Sequence, residues 1–323
     1  MPSPTKIKSI VCTLDLASSA SREITAWSVA ATRLLGADLC LFHAIAPRGD
    51  PLHPTAEFEY GGGLQTRREA RLAQLNQLMQ EAEHPFCAEV VTGEPAEALQ
   101  RLCRSRPVDL VVAGSQSIRG FKRLLMGTVV ERLAHMTLCP LLFLRPKRLH
   151  PAAIAQIGIC CDFSEGDARL IGYGQELARA FRSRIHLLHA MEAAVDDSLV
   201  DSTQGPYQEV QQLLQKRIEQ KLLDREKAMP APAAAVGARA VPGSIFGLLD
   251  VAADLQIDLL VVGVRRHSLV DKLVVGSSTD AALRRARCHV LTVPLQARTR
   301  PAPSNGGPEP APDLRRRRKD RAG

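Results

Sequence analysis

The sequence predicts two tandem α/β domains, each a parallel sheet with helices on both faces. Three observations carry that prediction: the length, an internal repeat of domain size, and the alternation of strand-like with helix-like segments in each copy. At roughly 100–200 residues per domain, 323 residues make two. Apolar residues are 45% and charged residues 24%, the proportions of a globular chain rather than a disordered one. Aromatics are only 4%, with Trp27 the single tryptophan, so the cores must be built from Val, Ile, Leu and Ala.

The repeat is read from five landmarks. Leu14-Asp15 matches Cys161-Asp162 at an offset of 147, and Phe42-His43-Ala44 matches Leu188-His189-Ala190 at 146. Val108–Gly114 matches Ile257–Gly263 at 149, as do Gly127-Thr128 with Gly276-Ser277 and Cys139 with Cys288. A period near 150 is too long for a solenoid unit and has the size of a whole domain. The domains are therefore expected at 1–147 and 150–296, with Arg145–Pro151 as the hinge.

Within the first copy the apolar runs are Ile7–Leu14, Asp38–Ala44, Phe86–Val91, Val108–Ala113 and Leu138–Leu144. They are continuous rather than alternating, as in strands buried on both faces. Between them, Ser19–Leu35, Leu64–Glu83, Pro95–Ser105 and Thr128–Met136 have helical spacing. The second copy repeats the pattern, with Tyr207–Lys227 as its long second helix and Ser164-x-x-Asp167 as a capping box after its first strand. Strand–helix alternation implies parallel pairing through right-handed crossovers. Pro47–Gly63 and Ala193–Gly205 read as loops at the carboxyl edge of each sheet, where ligands of such folds bind. Met229–Gly237, rich in Ala and Pro, reads as a further loop.

Several classes of function are set aside by composition. No apolar run approaches the ~18 residues that span a bilayer, and Asp15 interrupts the run behind Lys6 and Lys8, so neither membrane span nor signal peptide is expected. The eight cysteines include no C-x-x-C pair, which argues against structural zinc and a thioredoxin-type motif. Cys12, Cys40, Cys139, Cys160 and Cys288 lie in or beside strand-like runs, where a free Cys acts as a small hydrophobe. A reducing, cytoplasmic compartment follows. Net charge is +8, but Arg298–Gly323 holds eight basic and three acidic residues, so +5 of it belongs to the tail. Residues 297–323, dominated by Pro, Gly and charge, are expected to be a disordered basic tail. Its Arg315–Lys319 run suits weak, salt-sensitive contact with nucleic acid or anionic lipid, or stays solvated, and lacks aromatics for base stacking.

The segment Val111–Leu133 carries the chemistry. A buried strand ends at Gly114, a polar, basic loop follows, and Gly127-Thr128 opens a helix. Unpaired N–H groups at a helix start, with the positive end of the helix dipole, suit phosphate. Gly127 lets backbone approach, and the Thr128 hydroxyl can donate to a phosphate oxygen. A tight strand–helix connection with an ordinary Gly and a Thr cap fits the same residues. His43 and His189 recur at matched positions, which points to a hydrogen bond within the fold rather than to two catalytic bases.

These residues resemble the universal stress protein family, with two UspA-like domains in tandem. Its nucleotide-binding members carry Gly, two residues, Gly, nine residues, then Gly-Ser or Gly-Thr. Gly114 and Gly127-Thr128 hold the outer positions here. Gly120–Gly127, Cys139-Pro140, Asp162–Glu165 and Gly93-Glu94-Pro95 are also similar to the family, and the resemblance covers all but the tail. It implies doubly wound domains with five-stranded parallel sheets, an adenine nucleotide such as ATP as ligand, Mg2+ only with that nucleotide, and a regulatory role in stress response. Asp15 would contact the nucleoside, and Gly114, Ser117, Gly120, Gly127 and Thr128 the phosphates. Asp162, Gly263, Gly276 and Ser277 are the second domain's counterparts. It also implies pairing through the last strands, within the chain or as a homodimer. Ser117 replaces the middle glycine in the first copy and Arg266 in the second, which ranks the first site higher. No G-x-S-x-G, no P-loop and no metal cluster occurs, so no robust catalysis is expected. Slow ATP hydrolysis is left open, and no residue stands out as the base that orients water. Two rivals remain at this level: a stress or interaction module that acts through an unidentified protein partner without nucleotide, favoured by Ser117 and Arg266, and a nucleotidyl-transferring ligase of related fold. The ligase would carry a His- or Ser/Gly-rich signature where Asp15-Leu-Ala-Ser-Ser-Ala20 stands.

Overall fold

A computed structural model describes residues 6–45, 63–83, 87–114, 139–145, 150–191, 205–227, 229, 235–265 and 277–295. The described residues from 7 to 141 form one compact unit, and those from 142 to 295 a second.

The first unit runs β1 (Ser9–Thr13), α1 (Ser21–Leu35), β2 (Asp38–Ile45), α2 (Leu64–Glu81), β3 (Cys87–Thr92), α3 (Pro95–Ser105) and β4 (Leu110–Gly114). Strand β5 begins at Leu141, just after Pro140 accepts the Val111 N–H at 2.8 Å. The strands lie in the order β3-β2-β1-β4, all parallel. Strand β1 faces Asp38–Phe42 of β2 on one side and Leu110–Ala113 of β4 on the other. Ile10, Val11, Cys12, Leu110, Val111 and Val112 are buried, which explains the continuous apolar runs.

Helix α1 forms because Ile24, Trp27, Ala31 and Leu35 return to one face at helical spacing and bury there. Its buried hydroxyls are satisfied within the helix: Thr25, Ser28 and Thr32 donate to the carbonyls of Ser21, Ile24 and Ser28 at 2.8, 2.8 and 2.6 Å. Gly36 ends it in the left-handed conformation, its N–H on the Thr32 carbonyl. Helix α3 starts on Glu94, whose carboxylate accepts from the Ala96 and Glu97 N–H groups, with Pro95 at the first helical position. That is the structural content of the Gly93-Glu94-Pro95 motif.

The second unit repeats the order: β6 (Gln156–Cys160), α4 (Asp167–Phe181), β7 (Arg184–Met191), α5 (Gly205–Lys227), β8 (Ala235–Pro242), α6 (Ile245–Asp254), β9 (Leu259–Val264), α7 (Ser277–Arg285) and β10 (His289–Pro294). Its strands lie β8-β7-β6-β9-β10, again parallel. The repeat in sequence is thus a repeat in topology. The predicted helix Thr128–Met136, all but the last residue of the predicted loops Pro47–Gly63 and Ala193–Gly205, hinge residues 146–149 and the tail lie outside the described residues.

Two local expectations are corrected. Strand β8 begins at Ala235, inside the segment read as a loop. Ser164-x-x-Asp167 is not a capping box: helix α4 is capped by Gly166, with no side-chain cap bond, and Asp167 is its first residue. Phe163 adopts φ of 61°, in the left-handed region, and the turn brings two N–H groups onto the fully buried Asp167 carboxylate. Asp162 N–H donates to it at 3.1 Å and Phe163 N–H at 2.9 Å. Asp167 therefore secures the strand–helix turn itself. Burial pushes its carboxyl above the usual range, against those two donors and Arg225 at 3.2 Å.

Candidate functional site

In the first unit the chain passes from β1 through α1 to β2 on one side, and from β3 through α3 to β4 on the other. The strand order therefore reverses between β1 and β4, and in doubly wound sheets the ligand crevice lies outside the carboxyl ends at that point. Thr13 pairs with Ala113, which sets Leu14 beside Gly114 and Asp15 immediately beyond. Asp15 is half-buried in the turn into α1. Its carboxylate accepts the Ala17 N–H at 3.1 Å, while its carbonyl accepts the Ser18 N–H at 2.9 Å and the Ser21 hydroxyl at 2.6 Å. The turn is thus tied to the first residue of α1, and the carboxylate is held at the sheet's carboxyl edge.

Gly114 ends β4, and a Cβ there would collide with the Ile24 side chain of α1. The residue is small because the helix packs closely on the strand end. Ser117, Gly120, Gly127 and Thr128 lie outside the described residues. So do Arg266 and Gly276, while Ser277 is the first residue of α7.

Beside this edge stands His43 of β2, which donates from Nδ1 to the Leu14 carbonyl at 2.9 Å. His189 makes the matching bond to the Cys161 carbonyl at 2.8 Å. Both copies thus use the histidine to hold the chain leaving the first strand, as the repetition implied. Burial pushes His43 below its usual pKa; the Leu14 bond and Asp15 oppose the shift, and Arg71 of α2 adds to it. Arg71 was not singled out from the sequence. It lies 28 residues beyond His43 on α2, and a charge pattern within α2 does not reveal which arginine turns toward the strand ends.

The second unit has the same frame with a different lining. Ile159 pairs with Val261, so Cys161 and Gly263 correspond to Leu14 and Gly114. Here the aspartate is ion-paired: Arg265, just after β9, reaches Asp162. Asp162 also accepts the Ser164 N–H at 2.9 Å. Burial would raise this carboxyl, but the Ser164 hydrogen bonds and Arg265 outweigh it and hold it below the usual range. A Cβ on Gly263 would lie 2.8 Å from Leu295, and one on Gly166 2.9 Å from the same side chain. Leu295, which follows β10, thus covers both the strand end and the N-terminus of α4. Phe163 packs on His189 at 4.7 Å between ring centroids, with the Arg225 guanidinium 5.5 Å and the Lys221 ammonium 5.6 Å from its ring. At the matched position the first unit has Leu16.

Among the described residues no group of three or more His, Cys, Asp or Glu side chains forms a metal cluster. No described helix is long and apolar enough to cross a membrane.

Two parallel, doubly wound sheets of identical connectivity, each with an aspartate and a glycine at its switch point, define a tandem α/β protein with one such switch point per repeat. The sequence family described as the universal stress protein family matches residues 6–145 and again 154–294, and the chain belongs to it. A curated relative, the universal stress protein YxiE of Bacillus subtilis, is 33% identical over 66 residues, 20% of this chain and 45% of that protein. The chain thus matches less than half the length of this relative. Among solved structures, a universal stress protein from Archaeoglobus fulgidus superposes with a TM-score of 0.62 at 17% identity, covering 89% of this chain and 98% of that one. A functionally unknown protein from Pseudomonas aeruginosa superposes at 0.61 and 15% identity, covering 89% and 92%. At these identities the two structures speak for the fold alone.

Proposed function

We propose that this universal stress protein binds an adenine nucleotide, ATP in the first instance, in the crevice of its first unit, and acts as a regulatory binder rather than as a robust catalyst. The observation that carries the reading is the placing of Gly114 at the carboxyl end of β4 and of Asp15, one residue past Leu14, at that of the adjacent β1, where the strand order reverses. Asp15 would hold the nucleoside hydroxyls. The Gly114–Thr128 motif would receive the phosphates on backbone N–H groups, Mg2+ arriving with them. A nucleotide-free reading, in which the protein acts through a protein partner, is favoured in the second unit by the Arg265–Asp162 pair and by Leu295 against Gly263. The binding function is therefore assigned to the first unit, in the reducing, cytoplasmic compartment that the free thiols suit.

Calorimetric titration of the full chain with ATP tests this. Binding should saturate in the native protein and weaken by about ten-fold or more in Asp15→Ala, which removes charge-assisted hydrogen bonds of roughly 1.5–3 kcal/mol. Asp162→Ala should leave affinity unchanged. Equal loss in both variants, or in neither, overturns the assignment.

A further inference from the structure

Away from both crevices, near the amino ends of the first unit's strands, two cysteines from separate segments meet. Cys40 of β2 and Cys87 of β3 are direct register partners, so their side chains leave the same face. Their sulfurs lie 3.0 Å apart. Neighbouring strands run about 4.8 Å apart, within the 4.4–6.8 Å range of Cα separations that disulfides span. Closing the bond therefore needs only rotation about the side chains. The two thiols differ in access: Cys40 is fully buried, Cys87 half-buried at the start of the outermost described strand.

A cation completes the group. Arg106, at the end of α3, places Nη2 3.2 Å from the Cys40 sulfur and Nη1 3.2 Å from the Glu89 carboxylate. Glu89 lies on β3 two residues beyond Cys87, so the ion pair fixes the guanidinium beside the sulfurs. A pair of buried hydrophobic cysteines needs no such neighbour. The Cys40 thiol as hydrogen-bond donor, and Arg106 after it, bring Cys87 down to about 7, while Cys40 is pushed up, first by that same bond and then by burial.

We propose that Cys40 and Cys87 form a reversible redox site, in which Cys87 is oxidised by a hydroperoxide and Cys40 resolves the product as a disulfide. In the first step the Cys87 thiolate attacks the distal oxygen of the hydroperoxide. The O–O bond breaks, the alcohol or water leaves with one proton, and Cys87 becomes a sulfenic acid. In the second step the Cys40 sulfur attacks the sulfenic sulfur, the S–O bond breaks, and water leaves with the Cys40 proton. Two thiols are oxidised by two electrons and one peroxide is reduced. A dithiol reductant reverses the change by exchange. The product ties β3 to β2 covalently.

The native full-length protein is treated with hydrogen peroxide, quenched by alkylation and mapped by mass spectrometry without reduction. The expected result is a loss of two hydrogens from the intact mass, a peptide pair joined through Cys40 and Cys87, and recovery of both thiols with dithiothreitol. Failure to link this pair while the fold stays intact by circular dichroism overturns the proposal, as does a linkage confined to other cysteines. In Cys40→Ser, Cys87 should persist as a sulfenic acid trapped by dimedone; an unlabelled Cys87 in a folded variant also overturns it. Arg106→Gln should slow linkage several-fold. Because the native mapping needs no variant, misfolding of a mutant does not shield the idea.

Discussion

At the residue scale, a single aspartate explains why one motif is repeated. Asp109 stands just before β4, and its Oδ2 accepts the Lys8 and Ser9 N–H groups at 2.8 and 3.0 Å, fastening the start of β4 to the start of β1. Asp258 does the same to Ala155 and Gln156, at 2.8 and 3.0 Å. Each carboxylate satisfies two donors that lie at the start of the ladder, and so helps to set the register that places Leu14 beside Gly114 and Asp15 just beyond it. Asp258 is 2% exposed. Asp258→Ala leaves two part-buried N–H groups at the sheet end without their acceptor, each costing less than the roughly 1–3 kcal/mol of a fully buried group. Urea denaturation should show a loss of about 1–3 kcal/mol, with far-UV circular dichroism unchanged before the transition. A variant as stable as the native protein would show that the clamp is dispensable. The sequence made Val108–Gly114 visible as a repeat, yet it assigned the weight to Gly114; the aspartate's role depends on which N–H groups start the neighbouring strand, a nonlocal fact. His43 was readable for the opposite reason, because two copies of one residue at one register position are economically explained by one structural bond. The Cys40–Cys87 contact was not legible: the residues are 47 apart in sequence, and only the β2–β3 register joins them.

At the element scale, continuous apolar runs and helical spacing located the described strands and most helices to within a few residues, since burial on both faces leaves a strong pattern. What failed was local turn chemistry. Ser164-x-x-Asp167 has the spacing of a capping box, but the αL conformation at Phe163 redirects the carboxylate toward the N–H groups of residues 162 and 163. A comparison of the first helix of each unit carries a second prediction. Helix α1 ends on Gly36 with φ of 63°, and α4 ends at the corresponding place on Arg182 with φ of 60°. Both N–H groups complete the same kind of bond, to Thr32 and Ala178. A side chain in that conformation costs roughly 1–2 kcal/mol that glycine avoids. Arg182 is exposed, so little packing is lost with it. Arg182→Gly should therefore stabilise the protein by about 1 kcal/mol, roughly 2–4 °C in melting temperature for a domain of this size. A lower melting temperature would mean that the Arg182 side chain contributes more than its backbone costs.

At the scale of the whole molecule, duplication supplied two frames of one topology and left their crevices unequal. In the second unit two features oppose a ligand, and their magnitudes differ. The Arg265–Asp162 pair is mostly solvated, with 60% and 42% of the side chains exposed. Such pairs are worth about 0–1 kcal/mol, which a polyphosphate ligand would overcome. Leu295 is the larger obstacle, because it packs against both Gly263 and Gly166. Leu295 is half-buried, so returning its covered part to water costs a fraction of the roughly 1.5–3 kcal/mol of a fully buried leucine, before any ligand contact is made. The full chain should accordingly bind one nucleotide, and Arg265→Gln, which installs the residue type of Gln116 at the matched position, should leave that stoichiometry at one. Titration calorimetry on the native chain and on this variant decides the matter. A rise to two sites in Arg265→Gln would make the arginine, and not the packing of Leu295, the feature that keeps the second crevice closed.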